Sequence, residues 1–154
     1  MVADMPSEVS AYMAGHNVMT LATQGPDGPW ASAVFYAMDG GSLIFLSSPA
    51  TRHAKNLERD GRCAATIQDD TADWKAVRGV QIEGRVASLA GAEAAGAHRR
   101  YAEKFPIVSP LSKIPPAIVD ALAKIRWYRL VPTQIYFIDN SKGFGHRDRV
   151  DLGQ

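Results

Sequence analysis

The sequence predicts a mainly β (α+β) fold, a small antiparallel barrel of about six strands with helices packed around it. Three observations predict it. Short runs with a two-residue apolar period recur along the chain, tight turns join consecutive runs, and helical periods appear only in brief segments between them. Consecutive hairpins argue against a wholly parallel sheet, whose strands need long crossovers. The 154 residues are enough for one core, so residues 1–154 are expected to form a single domain.

The elements follow in order. Ser7 is placed to cap a first helix, with Val9, Tyr12 and Met13 at helical spacing and Gly15 near its end. Residues 17–23 read as a strand, followed by the turn cluster Gln24-Gly25-Pro26-Asp27-Gly28. Residues 30–38 read as a second strand with Trp30, Ser32, Val34, Tyr36 and Met38 on one face. Asp39-Gly40-Gly41 is a hairpin signal and residues 43–47 return, so the three strands are expected to form a meander. A short helix then runs to about Asp60-Gly61, and residues 62–68 resume extended structure. After the polar link 69–73, residues 74–89 read as a long strand with Val80, Ile82, Gly84 and Val86 facing one way. Gly79 and Gly84 within it predict a bulge or bend. Residues 91–104 read as a helix ended by Phe105-Pro106. A proline-punctuated loop covers 106–116, a short helix 117–124 and a last strand 126–138. Pro132 in that strand implies an edge or a bulge. The tail 139–147 is polar and rich in glycine.

Composition narrows the function. The formal net charge is +1 and the basic residues are scattered, so neither a nucleic-acid groove nor an anionic membrane surface is indicated. Cys63 is alone, cannot form an internal disulfide, and is expected to be a buried, inert thiol; no zinc-like spacing is present. The first residues lack the features of a signal peptide and no apolar run reaches the length of a membrane span, which predicts a soluble cytoplasmic protein.

The most informative segment is residues 47–57. Ser48 is placed to cap a helix, and Pro49 suits a first turn, where a missing N–H costs nothing. Hydroxyls of Ser47, Ser48 and Thr51 stand beside Arg52, His53 and Lys55. A helix N-terminus with free N–H groups, hydroxyls and a guanidinium suits a phosphate. The alternative is an ordinary capped helix with surface cations. The glycines of a P-loop or a dinucleotide fingerprint are absent.

Four stretches, with their order and spacing, resemble the FMN-binding split β-barrels related to pyridoxamine 5′-phosphate oxidase, and among these the small YhbP-like proteins. They are Thr51-Arg52-His53-Ala54, residues 78–84, the segment from Tyr101 to Pro106, and residues 138–145. The resemblance runs through nearly the whole chain. It implies an antiparallel six-stranded split β-barrel with peripheral helices, forming a homodimer with FMN at the subunit interface. It places Ser47, Ser48, Thr51, Arg52 and His53 on the FMN phosphate, with Lys55 as a substitute charge, because His53 stands where the wider family usually has lysine. It also makes Ala31, Ser32, Ala33 and Val34 candidates for the wall of the flavin ring. The other reading of those four is plain strand core. Trp74 and Trp127 are candidates for stacking on the ring or for packing. Gln68 would reach the partner's flavin, and Phe144, with His146 and Arg147 beyond it, would close over the site or simply dock on the barrel.

No self-contained catalytic constellation stands out, so any chemistry would be the flavin's. The resemblance implies an oxidoreductase acting on a small-molecule substrate or electron donor. Two rivals stay open: a non-catalytic flavin carrier or sensor, and a haem-binding split barrel, for which His16, His53, His98 and His146 are the available imidazoles. A deazaflavin in place of FMN is not distinguished.

Overall fold

Alternation of apolar and polar side chains yields eight strands in the computed structural model, which describes residues 5–109 and 115–153. In chain order the elements are α1 (Ser7–Gly15), β1 (Val18–Gly25), β2 (Gly28–Phe35), β3 (Ala37–Asp39), β4 (Ser42–Ser47), α2 (Arg52–Arg59), β5 (Arg62–Gln68), β6 (Arg78–Ser88), α3 (Gly91–Lys104), α4 (Pro116–Ala123), β7 (Arg126–Asp139) and β8 (Arg147–Val150). Among the described residues no helix is long and apolar enough to cross a membrane. Part of the expected 106–116 loop, residues 110–114, lies outside the described residues.

The sheet runs in the order β2-β1-β5-β6-β7-β4-β3, with β8 beside β7, and every pairing is antiparallel. Its two ends, β2 and β3, are one stretch of chain broken at Tyr36. The sheet therefore curls into a half-barrel whose edges are the halves of a bent strand. The bend has a cause. Tyr36 is fully buried and its hydroxyl donates to the carbonyl of Met13, which turns the chain inward. The ammonium of Lys104 sits over the Tyr36 ring at 4.6 Å.

The bend corrects two expectations. Residues 30–38 are not one strand, and β4 pairs with β3 and β7 rather than completing a meander with β2. The break makes two strands of one and the tail adds β8, so the strand count is eight rather than six. Ser7 is the first helical residue of α1, preceded by Pro6, and gives no side-chain cap.

The bulge falls at Gly84. The β6–β7 register shifts between Glu83 and Gly84, where a side chain would come within 2.7 Å of the Val131 carbonyl. Gly79 pairs in register. Opposite Gly84 lies Pro132, in the gap between the last residue of β7 paired to β4 (Leu130) and the first paired to β8 (Ile135), so its missing N–H breaks no ladder on that side.

Inside the curl, Met13, Met19, Leu21, Phe45, Ile67 and Leu130 are fully buried in the main core. A smaller cluster under α3 contains Ile44, Ala97 and Tyr101, with Trp127 packed against it. Trp127 stacks on His98 and meets Tyr101 edge to face, so it serves packing. Outside, the strands carry small side chains on one flank. The row Ala33, Thr20, Thr66 continues to Gln81, Tyr136 and Arg149, and the row Ala31, Ala22, Ala64 continues to Glu83 and Gln134.

Candidate functional site

Helix α2 begins where β4 ends, and its N-terminus is built by side chains. The cap is Thr51, whose hydroxyl accepts from the Ala54 amide at 3.2 Å. Ser48 is not the cap. Its hydroxyl accepts from the Ala50 amide inside the preceding turn, and its carbonyl accepts from the Thr51 hydroxyl. The amides of Arg52 and His53, first in the helix, have no acceptor within it.

His53 and Ser47 form the centre of the turn, with Nε2 and Oγ 2.7 Å apart and Thr51 Oγ1 3.2 Å from the same Ser47 oxygen. Burial pushes the imidazole below its usual range, so it favours the neutral form. The predicted hydroxyls are therefore partly turned inward, on one another and on His53.

The cations face outward. Arg52 lies 4.3 Å over the Trp30 ring and donates to the Asp27 carbonyl at 3.3 Å, in the β1–β2 turn. Lys55 is exposed, and neither it nor Arg52 makes an ion pair among the described residues. The helix is held to β1 by Asn56, which is buried and donates to Thr23 Oγ1 at 3.0 Å. Gly25 makes room for it, since a side chain there would meet Asn56 Oδ1 at 1.9 Å.

Beside this N-terminus runs β2, the edge of the sheet. It pairs only with β1, so one row of its backbone groups is unpaired by the ladder. Ala31 and Ala33 point outward, whereas Ser32 and Val34 are half-buried. All four candidates for the ring wall thus lie on a free, small-residue edge reached by Arg52.

The other candidates sit elsewhere. Gln68 ends β5 and accepts from the Thr66 hydroxyl at 3.0 Å. Trp74 opens a short turn before β6 and meets Phe144 edge to face, centroids 5.7 Å apart. Arg147 reaches Gln81 at 3.2 Å and the Tyr136 ring at 5.4 Å. The tail is docked by Asn140, which donates to the Trp74 carbonyl and accepts from the Gly145 amide. Strand geometry separates the Arg52 and Trp30 end from the Trp74 and Phe144 end. Ala33 and Gln81 share a row; Trp30 lies three residues from it toward one end, and Arg78 three residues from it toward the other. At about 3.3 Å per residue and 4.8 Å per strand, that is more than 20 Å along the sheet.

Sequence reasoning missed Trp30 as the seat of Arg52 and missed Asn56 and Asn140 as braces. For Asn56 a signal existed in the apolar spacing of α2, which turns that position inward with Ala54 and Leu57. Next to the Trp74 and Phe144 end, Tyr12, His16 and Asp69 form a cluster, with His16 Nε2 2.6 Å from Asp69 and the Tyr12 hydroxyl donating to the Arg78 carbonyl at 2.9 Å. All four histidines are engaged: His16 with Asp69, His53 with Ser47, His98 Nε2 with the Val108 carbonyl, and His146 with Asp148.

Comparison with known proteins agrees with this architecture. Residues 5–139 match the family profile described as pyridoxamine 5′-phosphate oxidase. The UPF0306 protein YhbP of Escherichia fergusonii is 30% identical over 141 residues, covering 90% of this chain and 88% of that protein. A conserved hypothetical protein of Mycobacterium tuberculosis has a similar structure, with a TM-score of 0.72 at 26% identity over 94% of this chain and 92% of its own. A heme binding protein of Mycobacterium smegmatis gives 0.71 at 25% identity, over 96% of this chain and 59% of that one.

Proposed function

This chain belongs to the pyridoxamine 5′-phosphate oxidase family, and from that premise we propose that it is an FMN-binding flavoprotein, an oxidoreductase on a small substrate, acting as a homodimer with flavin at the interface. One observation carries the reading. The open N-terminus of α2, with the cations Arg52 and Lys55 in no ion pair among the described residues, adjoins the free edge of β2. A phosphate fits the first and a flat heterocycle the second, because amides and a guanidinium favour a dianion and small side chains allow close approach.

In this reading Thr51 holds the helix end rigid, the Arg52 and His53 amides and the Arg52 side chain bind the phosphate, and Lys55 adds charge. The β2 backbone from Ala31 to Val34 pairs with the polar edge of the ring. Bound FMN would supply hydride acceptance and release at its N5 position. Outward-facing Ala22, Ala31, Ala33 and Ala64 give a flat flank on which a second subunit can lie. Trp74 and Phe144 lie too far along the sheet to meet the same flavin in one chain, whereas Gln68 stands two strands and two residues from Ala33, about 12 Å away. In the proposed homodimer the partner's copies of Trp74 and Phe144 are the ones that would reach that flavin.

Purified protein should be yellow, with a flavin spectrum and FMN released on denaturation. Arg52→Ala should lose the colour; full flavin occupancy in that variant would overturn the assignment. Reduction of the bound flavin by NADH or NADPH in stopped flow separates an oxidoreductase from a carrier. The resemblance to a heme binding protein gives haem as the rival ligand. A Soret band in place of the flavin bands would favour it.

A further inference from the structure

Helix α2 has a second face. At about 3.6 residues per turn, Ala54, Leu57 and Glu58 lie opposite Arg52 and Asn56. They close a cavity of about 100 Å³ against the end of β6 and the start of β7. Its apolar walls are Pro49 and the buried Ala54, Leu57 and Val86, and its rim carries the exposed Glu58 and Arg126.

Tyr128 forms the floor. It is 6% exposed and stacks on Phe45 with ring centroids 5.3 Å apart, on a strand paired at that point to Phe45 on one side and Ser88 on the other. Its hydroxyl makes no hydrogen bond among the described residues, although it belongs to a buried side chain that lines the cavity. A buried hydroxyl is normally paired, so this one has a donor proton to spend on an occupant. Burial pushes the phenol up, while Arg126 lowers and Glu58 raises it, so the group stays protonated within the field of both charges.

Arg126 and Glu58 carry opposite charges and line one small cavity, yet they do not pair. Neither makes an ion pair or a side-chain hydrogen bond among the described residues. The gap between them has room for a ligand that bears both charges. A carboxylate suits the guanidinium and the Tyr128 hydroxyl, an ammonium suits Glu58, and an aliphatic group suits the walls. A ligand with a carboxylate alone would stand unmatched beside Glu58, and one with an ammonium alone beside Arg126. A dry apolar cavity of about 150 Å³ accepts a benzene ring, so this one takes a smaller group of about three or four carbons.

We propose that this cavity binds a free α-amino acid with a small branched aliphatic side chain, its carboxylate on Arg126 and the Tyr128 hydroxyl and its ammonium on Glu58. The site lies on the face of α2 turned away from Arg52, and it does not rest on the flavoprotein reading.

The test is isothermal titration of the full chain with L-valine and two relatives: 3-methylbutanoate, which lacks the amino group, and isobutylamine, which lacks the carboxylate. Valine should bind about fivefold more tightly than either, the size expected from one exposed ion pair. Glu58→Gln should erase its advantage over 3-methylbutanoate, and Arg126→Gln its advantage over isobutylamine. Both residues are exposed, so neither substitution threatens the fold. Tyr128→Phe keeps the stacked ring and should weaken valine but not isobutylamine. In methyl NMR spectra valine should shift the signals of Leu57 and Val86. Equal affinity of the three compounds, an advantage that survives the matching substitution, or unmoved Leu57 and Val86 methyls would overturn the proposal. So would the absence of valine binding up to its solubility limit.

Discussion

Gly25→Ala is expected to be costly although it adds one methyl group at the end of a strand. The new Cβ would lie 1.9 Å from Asn56 Oδ1 and 2.7 Å from its Cγ, so the Asn56 side chain has to move by more than an ångström. It has nowhere inexpensive to go, because Asn56 and its partner Thr23 are each 4% exposed and joined by a 3.0 Å hydrogen bond. Overpacking costs about 1–3 kcal/mol, and a buried polar group left without its partner about 1–3 kcal/mol more. The sum, about 2–6 kcal/mol, corresponds to a melting temperature lower by about 5–20 °C in a domain of this size. Circular-dichroism melts of four proteins check it: parent, Gly25→Ala, Asn56→Ala and the double variant. Once Asn56 is alanine the clashing atoms are gone, so Gly25→Ala should then cost less than about 1 kcal/mol. An undiminished cost in the Asn56→Ala background would refute the steric argument, as would a single variant that melts within 2 °C of the parent. Because Asn56 also anchors α2, Gly25→Ala should weaken flavin binding as well as stability.

Other outcomes follow from the same structure. Thr51→Ala removes the cap of α2 and should lower stability by about 1 kcal/mol, read in a denaturant titration, with a parallel loss of flavin affinity. His53 has a native pKa below the ordinary 6.5 because it is buried. The native state thus binds this proton less readily than the unfolded chain does, and the contribution is complete above about pH 6.5 and lost as pH falls below it. Melting temperatures from pH 7.5 to 5.5 should fall less steeply in His53→Gln than in the parent; parallel slopes would contradict this. Asp69 and Asp139, held low by hydrogen bonds to His16 and Ser141, act in a more acidic window. Burial pushes the Cys63 thiol up to about 11. Native protein at pH 8 should therefore react with a disulfide reagent about 100-fold more slowly than unfolded protein.

Much of this was legible in the sequence, for physical reasons. The two-residue alternation of Val80, Ile82, Gly84 and Val86 reports a face against the core, and Gly84 and Pro132 each signal an irregularity because neither suits a regular ladder; that they face one another at the bulge is visible only in the fold. The helix at 91–104 was bounded by Gly91 and Phe105-Pro106, and the structure ends it there. The break at Tyr36 was not legible. A tyrosine among alternating apolar residues looks like strand, and only its distant partner, the Met13 carbonyl, turns it inward. The cap of α2 was misplaced because Ser48 and Thr51 are both good caps locally, and the choice depends on where β4 stops. Within the candidate site, sequence grouped residues by resemblance, whereas the strand register sets Arg52 and Trp74 at opposite ends of the sheet.

The bent strand has a consequence during synthesis of the chain. β4 emerges early with Leu43, Ile44 and Phe45, all fully buried in the finished protein. Its ladder partner in the barrel is β7, where Ser47 faces Arg126 and Leu43 faces Leu130. At the usual pace of translation the interval between those residues lasts on the order of 4–16 s. Until then only the three-residue β3 covers β4 on one side. The nascent chain thus carries a sticky, half-paired hairpin for seconds, and it is at this stage, more than in the finished barrel, that the protein depends on shelter from other chains.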